Sequence, residues 1–438
     1  MDSFFKLSER ASTLAREVAG GLTTFLSMAY IIAVNPAILG AAGVPFQAAL
    51  TATCFGAALM TITMGLVANR PIALAPGMGL NAVVAYTLCL GLGVDWRVAM
   101  AVIVVEGLAI LLLVLCGLRK AVMDAIPSDI RIAIGIGIGL FVAFIGLKGG
   151  GVIAANESTF IALGDLTSPI CIVSIASILV AILLQALHVP GSLLISIVVA
   201  TIVGIPLGVT PMPESWSFGL DFSGFGAPFQ PDPATGSPAI FTALVKPALL
   251  LAAFSLFMSD FFDSMGGIVA IGRQGGFVDK RGEIKDLQPI LVVDSLGAVM
   301  GGLMGASSIT TYVESASGAA AGARTGLSSV VVGLLFAVFA FLSPAVGMVT
   351  GSATCGALTV VGYLMMESLG EIDWTRIEHA FPAFVIVVGI PFTYSITDGI
   401  GLGFISYVAL MIVLGKAGKV RLLMWIASAA FLLMFIFA

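Results

Sequence analysis

Runs of about 20 apolar residues recur along nearly the whole chain, the length a helix needs to cross a hydrocarbon core of about 30 Å. In order they predict spans at 17–39, 48–68, 72–90, 97–117, 128–147, 168–187, 191–209, 242–270, 288–306, 309–323, 326–346, 353–368, 379–396 and 398–415. A final apolar stretch, 421–438, fits a span or a helix lying along the interface equally well. The pattern predicts an all-α polytopic membrane protein of fourteen transmembrane segments with both termini on one side.

Two stretches depart from the pattern of an ordinary span. "RPIALAPGMGLNAVVAYTL" crowds Pro71, Pro76, Gly77 and Gly79 into its first half, and "SSITTYVESASGAAAGARTGL" opens on β-branched residues before small ones. Each reads as a short extended piece followed by a half-length helix. Extended backbone at membrane depth survives only where protein or a cavity satisfies its N–H and C=O groups. Both stretches follow a Gly-rich span ("GAALMTITMGLVANR" and "LGAVMGGLMGAS"), and a similar offset relates the first span to the eighth. Seven spans separate the paired elements, so the second half is expected to enter the membrane inverted. Interrupted segments in matching positions of inverted halves are the best sequence pointer to a transporter's mid-membrane binding site.

Composition and charge sharpen this reading. Of 438 residues, 59% are hydrophobic and 10% charged, against a usual charged share of about 25%. The opening "MDSFFKLSERASTLAREVAGG" is charged throughout and lacks the apolar core of a signal peptide. With the N-terminus in the cytoplasm, 16 of the 19 basic residues fall on the cytoplasmic side and only Arg97, Lys148 and Lys246 outside, as the positive-inside rule requires. A cell inner (plasma) membrane location with both termini cytoplasmic is expected. The net charge of −5 says little, because the charges lie on two separate sides. Five scattered cysteines indicate neither a disulfide framework nor a metal site. His188 and His379 sit beside predicted loops and read as solvated residues. No cofactor, no metal and no nucleic-acid partner is expected.

The intramembrane acids carry the candidate chemistry: Glu106, Asp260, Asp263, Asp294, Glu314 and Asp398. An Asp at the centre of a lipid-exposed helix costs about 2.5–3.5 kcal/mol on insertion scales, so such residues face a cavity or a partner. Asp260 and Asp263, at i and i+3, share one helix face. Glu314 follows the extended "ITTYV" directly, and its counterpart in the first half, "APGMGLN", offers the amide of Asn81. If spans three, eight and ten meet, Asp260, Glu314 and the backbone of Gly77–Asn81 share one pocket. The competing readings are an acid pair that pins helices and, for Glu314, a helix N-cap. Glu106 and Asp398 read as structural, the latter as a cap in "TDGIGLG", and Asp294 is left open. A metal ion wants a tighter cluster of oxygen ligands, and carboxylates repel an anion. A flat, neutral molecule with N–H donors, such as a heterocyclic base, suits carboxylates at one edge and backbone at the other. A carboxyl group in low dielectric also binds its proton more tightly, which allows coupling to a proton gradient.

Five blocks in order, "GGLTTFLSMAYIIAVNPAIL", "APGMGLNAVVAY", "FSLFMSDFFDSMGG", "SITTYVESASGAAAGARTGLSS" and "PFTYSITDGIGLGFISY", resemble the AzgA-like purine permeases. These belong to the nucleobase–cation symporter-2 group, with the uracil and xanthine permeases. The resemblance runs from about residue 10 to 415 and implies two inverted repeats of seven helices. It implies a cytoplasmic N-terminus (1–16), a core domain (17–117 and 242–346), a gate domain (128–209 and 353–415), an outer loop (210–241) and an apolar C-terminal segment (421–438). It further implies a homodimer in the lipid bilayer that works by an elevator-like motion. The implied substrate-binding residues are Asp260, Glu314, Asn81, Val313, Gly79, Met78 and Thr24, and the implied proton-coupling residues are Asp260, Asp263 and Glu314. Thr23 and Thr24 stand where the uracil and xanthine relatives carry a Gln-His pair. Asp263-Ser264 replaces the family's Asp-Thr, and Val83 replaces a commonly aromatic residue.

The implied function is import of purine bases (adenine, guanine, hypoxanthine or a subset) by proton symport, with no enzymatic reaction. The alternatives are a uracil- or xanthine-type permease and, from another class, an anion transporter of the same architecture. An intramembrane aspartyl protease would need a Gly-x-Gly-Asp motif, which the sequence lacks. A cation channel would need repeated filter residues rather than inverted broken helices.

Overall fold

The computed structural model describes residues 2–117, 126–212, 219–277, 284, 287–341 and 343–437. Arg119, Lys120, Lys280, Arg281 and Lys285, used in the orientation argument, lie outside the described residues, as do 213–218 of the expected outer loop.

The first half runs α1 (Leu14–Ala41), α2 (Phe46–Val67), β1 (Leu74–Pro76), α3 (Met78–Gly91), α4 (Trp96–Leu115), α5 (Ser128–Gly149), a hairpin of β2 (Ile153–Asn156) and β3 (Phe160–Leu163), α6 (Pro169–Ala186) and α7 (Ser192–Gly204). The second half runs α8 (Pro247–Gly275), α9 (Leu287–Met304), β4 (Ile309–Thr311), α10 (Ser315–Ala320), α11 (Gly326–Phe339), α12 (Gly351–Met365), α13 (Ile377–Thr393) and α14 (Ile396–Val413). Helix α15 (Leu422–Phe437) packs on α14 and α8. Eight helices among the described residues are long and apolar enough to cross a membrane, and the other apolar helices are shorter.

Local chemistry explains the boundaries. Thr13 caps α1 by accepting from the Arg16 N–H, and the helix loses its regular winding at Ala29–Tyr30. The eighth predicted span shifts towards the C-terminus. A short helix, Ala239–Val245, ends at extended Lys246, and α8 begins at Pro247, because proline has no N–H to continue a preceding helix but fits a first turn. Asp260 thereby stands near the middle of the 29-residue α8. The β2–β3 hairpin was not predicted; its turn is held by Asn156 Oδ1, which accepts from the Ser158 and Thr159 N–H groups. His379 is not a solvated loop residue: it lies in the first turn of α13, with Nδ1 2.8 Å from Asp129 Oδ2. Asp398 does not cap α14; Ser395 does, accepting from the Asp398 N–H.

Two sets of helices emerge from the packing. In one, α4 packs on α9 and α8, α2 on α9 and α11, and α1 on α11 and α10. In the other, α5 packs on α12 and α13, α6 on α7 and α12, and α13 on α14. Within the first set β1 and β4 pair antiparallel, Leu74 opposite Thr311, Ala75 opposite Thr310 and Pro76 opposite Ile309. The ladder continues at both ends, with the Gly77 N–H on Ser308 O at 2.9 Å and the Tyr312 N–H on Ala73 O at 3.0 Å. Side chains complete the outer edges. Thr61 of α2 both donates to Leu74 O (2.8 Å) and accepts from its N–H (2.9 Å). Asp294 of α9 accepts from the Thr311 N–H (2.8 Å) and Oγ1 (2.7 Å). The extended backbone thus finds the partners it needs at membrane depth.

Candidate functional site

The strand crossing ends in a cavity of about 770 Å³, within the range of roughly 300–1,000 Å³ usual for small-molecule sites. Its inner end is formed by the start of α3 (Gly77, Met78, Gly79), the link from β4 to α10 (Val313, Glu314), Tyr30 of α1 and Asp263 of α8. From there it runs along α8 past Gly266 and Ala270 towards Arg131, Arg273, Glu367 and Glu371, near the ends of α5, α8 and α12.

Backbone and side chains reach the inner end for separate reasons. Pro76 and Gly77 hold the chain extended until α3 begins at Met78. Gly79 lies so close to α5 that an added Cβ would meet Ile138 Cγ2 at 2.5 Å, and one at Gly77 would meet Thr310 Cγ2 at 2.8 Å. On the opposite side, Glu314 stands at the N-cap of α10 but makes no cap hydrogen bond. Its Oε1 accepts from the hydroxyl of Tyr30, which stands at the break in α1, at 2.6 Å. The N-cap reading therefore does not describe its side chain. Tyr312 is buried, and its hydroxyl donates to Pro76 O at 2.6 Å, tying the two crossed segments together.

The two acids of α8 divide. Asp263 is exposed to the cavity. Asp260 is 2% exposed and stands outside the lining. Its Oδ2 accepts from Ser308 Oγ at 2.8 Å, while Ser264 Oγ, 3.5 Å from its Oδ1, lies 2.5 Å from Thr310 Oγ1. Hydroxyls from the β4 segment thus hold Asp260 behind the cavity wall. Of the residues singled out in the sequence, Met78, Gly79, Asp263, Val313 and Glu314 meet at the cavity. Asn81 is fully buried, its amide without a partner among the described residues. Thr24 sits where α1 meets α10, with Gly318 close enough that an added Cβ would lie 2.1 Å from Thr24 Oγ1.

Sequence reasoning missed Tyr30, Ser308 and Thr310. Tyr30 carried a signal, a hydroxyl-bearing ring in mid-span shortly before Pro36. Ser308 and Thr310 carried only their place in the β-branched opening of the second broken span. Among the described residues no group of three or more His, Cys, Asp or Glu side chains has the arrangement of a metal site.

Comparison with known proteins agrees with this architecture. The xanthine/uracil permease model, described as a permease family, matches residues 15–402. Adenine permease AdeP of Escherichia coli (strain K12) is 38% identical over 445 residues, covering 100% of this chain and 96% of that protein. Guanine/hypoxanthine permease PbuG of Bacillus subtilis (strain 168) is 38% identical over 451 residues, covering 100% of each chain. Among solved structures, the transmembrane domain of a cyanobacterium bicarbonate transporter, BicA, aligns with a TM-score of 0.64 at 17% identity, over 89% of this chain and 97% of that one. That last likeness is one of fold alone. The chain belongs to the xanthine/uracil permease family and is a multi-pass membrane protein.

Proposed function

We propose that the chain imports purine bases together with a proton. The observation that carries this reading is one cavity offering two carboxyl groups, Asp263 and Glu314, opposite the backbone of Gly77–Gly79. A purine presents ring N–H donors at one edge and ring-nitrogen acceptors at another, so such a cavity can grip both edges. The relatives named for adenine and for guanine/hypoxanthine support the substrate class. Asp263 and Glu314 are the substrate-facing acids in this reading, with Met78, Gly79 and Val313 as walls. Asp260 acts from behind the wall, through Ser308, Ser264 and Thr310, on the segment that carries Glu314. Asn81 and Thr24 shape the approach of α3 and α10.

The positive-inside rule sets the open end of the cavity, at Arg131 and Arg273, on the cytoplasmic side. The two helix sets then serve as core and gate, in two inverted repeats, and the core carries the site across by sliding against the gate. An anion transporter of the same fold is disfavoured by two acids at the cavity's inner end.

Uptake of labelled adenine, competed by unlabelled guanine, hypoxanthine, xanthine and uracil, tests the reading. It should be driven by an inward proton gradient and should collapse with a protonophore. Transport of none of these bases, or dependence on sodium alone, would contradict it.

A further inference from the structure

The structure carries a second group of acids that the cavity does not use. Glu106, in the middle of α4, is 1% exposed, and both its carboxyl oxygens are enclosed without a hydrogen-bond donor among the described residues. Its neighbours are other acids: α4 packs against α8 and α9, which bring Asp260 and Asp294 towards the Glu106 carboxyl. Close packing leaves little room for a donor to enter. An added Cβ at Gly107 would meet the Val299 backbone N at 2.7 Å, and one at Gly302 would meet Met100 O at 2.8 Å, so α4 and α9 touch on either side of Glu106.

The other two acids are supplied with donors. Asp294 accepts two hydrogen bonds from Thr311, and Asp260 accepts from Ser308. Among the described residues, none of the three forms an ion pair with a Lys, Arg or His. Three adjacent buried carboxylates without a cation repel one another, and one with no donor at all has lost its hydration for nothing. A single proton resolves both problems: on Glu106 it becomes the donor that Asp260 can accept. The pair then titrates as a unit rather than as two independent acids.

We propose that Glu106 is a positioning residue for proton coupling, sharing one proton with Asp260, and that this pair holds the proton that crosses with the substrate. The proposal rests on the transport reading above and deepens it. Glu106 touches no part of the cavity and acts through Asp260, whose link runs through Ser308 and the Ser264–Thr310 pair to the strand that leads into Glu314. Occupancy of the cavity at Glu314 and protonation behind β4 are thus mechanically joined. Among the described residues, the charged or titratable groups facing Glu106 are Asp260 from α8 and Asp294 from α9.

The test is labelled purine transport in proteoliposomes, measured as accumulation driven by an inward proton gradient and as exchange against internal unlabelled base without a gradient. Glu106→Gln keeps an N–H donor for Asp260 but cannot release a proton. It should exchange within about twofold of wild type while gradient-driven accumulation falls about tenfold or more and its pH dependence flattens. Glu106→Asp should restore accumulation in part, with a displaced pH profile. Glu106→Gln that accumulates with the wild-type pH profile would overturn the proposal, as would equal loss of both modes in Glu106→Gln and Glu106→Asp with normal insertion. If Glu106→Gln fails to reach the membrane, Glu106→Asp decides: a wild-type pH profile overturns the proposal and a displaced one supports it. A wild-type protein that transports purines without responding to the proton gradient would refute the coupling reading itself, and this inference with it.

Discussion

The two crossed segments have the same outline and different chemistry. β1–α3 and β4–α10 each run from a strand into a helix, pair with each other, and have their outer edge closed by a side chain from the preceding helix. In the first half that side chain is the hydroxyl of Thr61, and in the second it is the carboxyl of Asp294. The first segment brings Gly77, Met78 and Gly79 to the cavity, and the second brings Glu314. Hydroxyls at 308 and 310, on the second segment alone, reach Asp260 directly or through Ser264. One half supplies a close, neutral backbone wall, and the other carries charge and the network that governs it. Two segments of one outline thus give a single cavity two chemically different sides.

Removing the charged half's contribution should have the largest effect. Glu314→Gln or Asp263→Asn should cut purine uptake about a hundredfold, since a hydrogen bond to a charged group is worth roughly 1.5–3 kcal/mol. Wild-type uptake by either variant, at matched membrane abundance, would remove that residue from the site. The neutral wall should break next. Gly79→Val meets Ile138, and uptake should fall about tenfold while Val313→Ala stays near wild type. Equal effects at 79 and 313 would mean that closeness of backbone is not what the first half provides. The smallest effect belongs to the link between α1 and the charged half. Tyr30→Phe removes the donor to Glu314 but leaves the carboxylate in place to meet the ligand, so the net loss of about 1 kcal/mol should raise the KM for purine roughly fivefold with little change in maximal rate. A change in rate alone would place Tyr30 in the moving step instead of the binding step.

Much of the scaffold was legible in the sequence because its causes are local. Apolar runs gave the helices, and Pro71, Pro76, Gly77 and the "ITTYV" stretch marked where helix gives way to strand. That extended backbone there needs partners was also legible; that the two strands supply them to each other was not, because nothing local in either stretch names its partner. The start of α8 was misplaced because "FTALVKPALLLAAF" is continuously apolar around a single Lys-Pro break. Periodicity weighs such a run as one helix, although Pro247 divides it. The hairpin at 153–163 was missed because its strands are four residues each and depend on Asn156 for their turn.

The site was legible as a set of acids and illegible as an arrangement. Spacing placed Asp260 and Asp263 on one face of α8, yet a rotation of about 60° between positions i and i+3 is enough to expose one and bury the other. Which of them meets the cavity depends on Ser308 and Thr310, close to 50 residues away in sequence. Glu106 looked structural because nothing in "VIVVEGLAILL" signals a second acid; only the packing of α4 against α8 and α9 supplies one.

In the proposed function a purine base lies between the Gly77–Gly79 backbone and the carboxyl groups of Asp263 and Glu314. A structure of the protein with adenine or guanine bound tests it most directly. The base should lie at the inner end of the cavity, with one edge within hydrogen-bond distance of Asp263 or Glu314 and the other against the first turn of α3. A base bound elsewhere, with both carboxyl groups beyond hydrogen-bond reach, would contradict it.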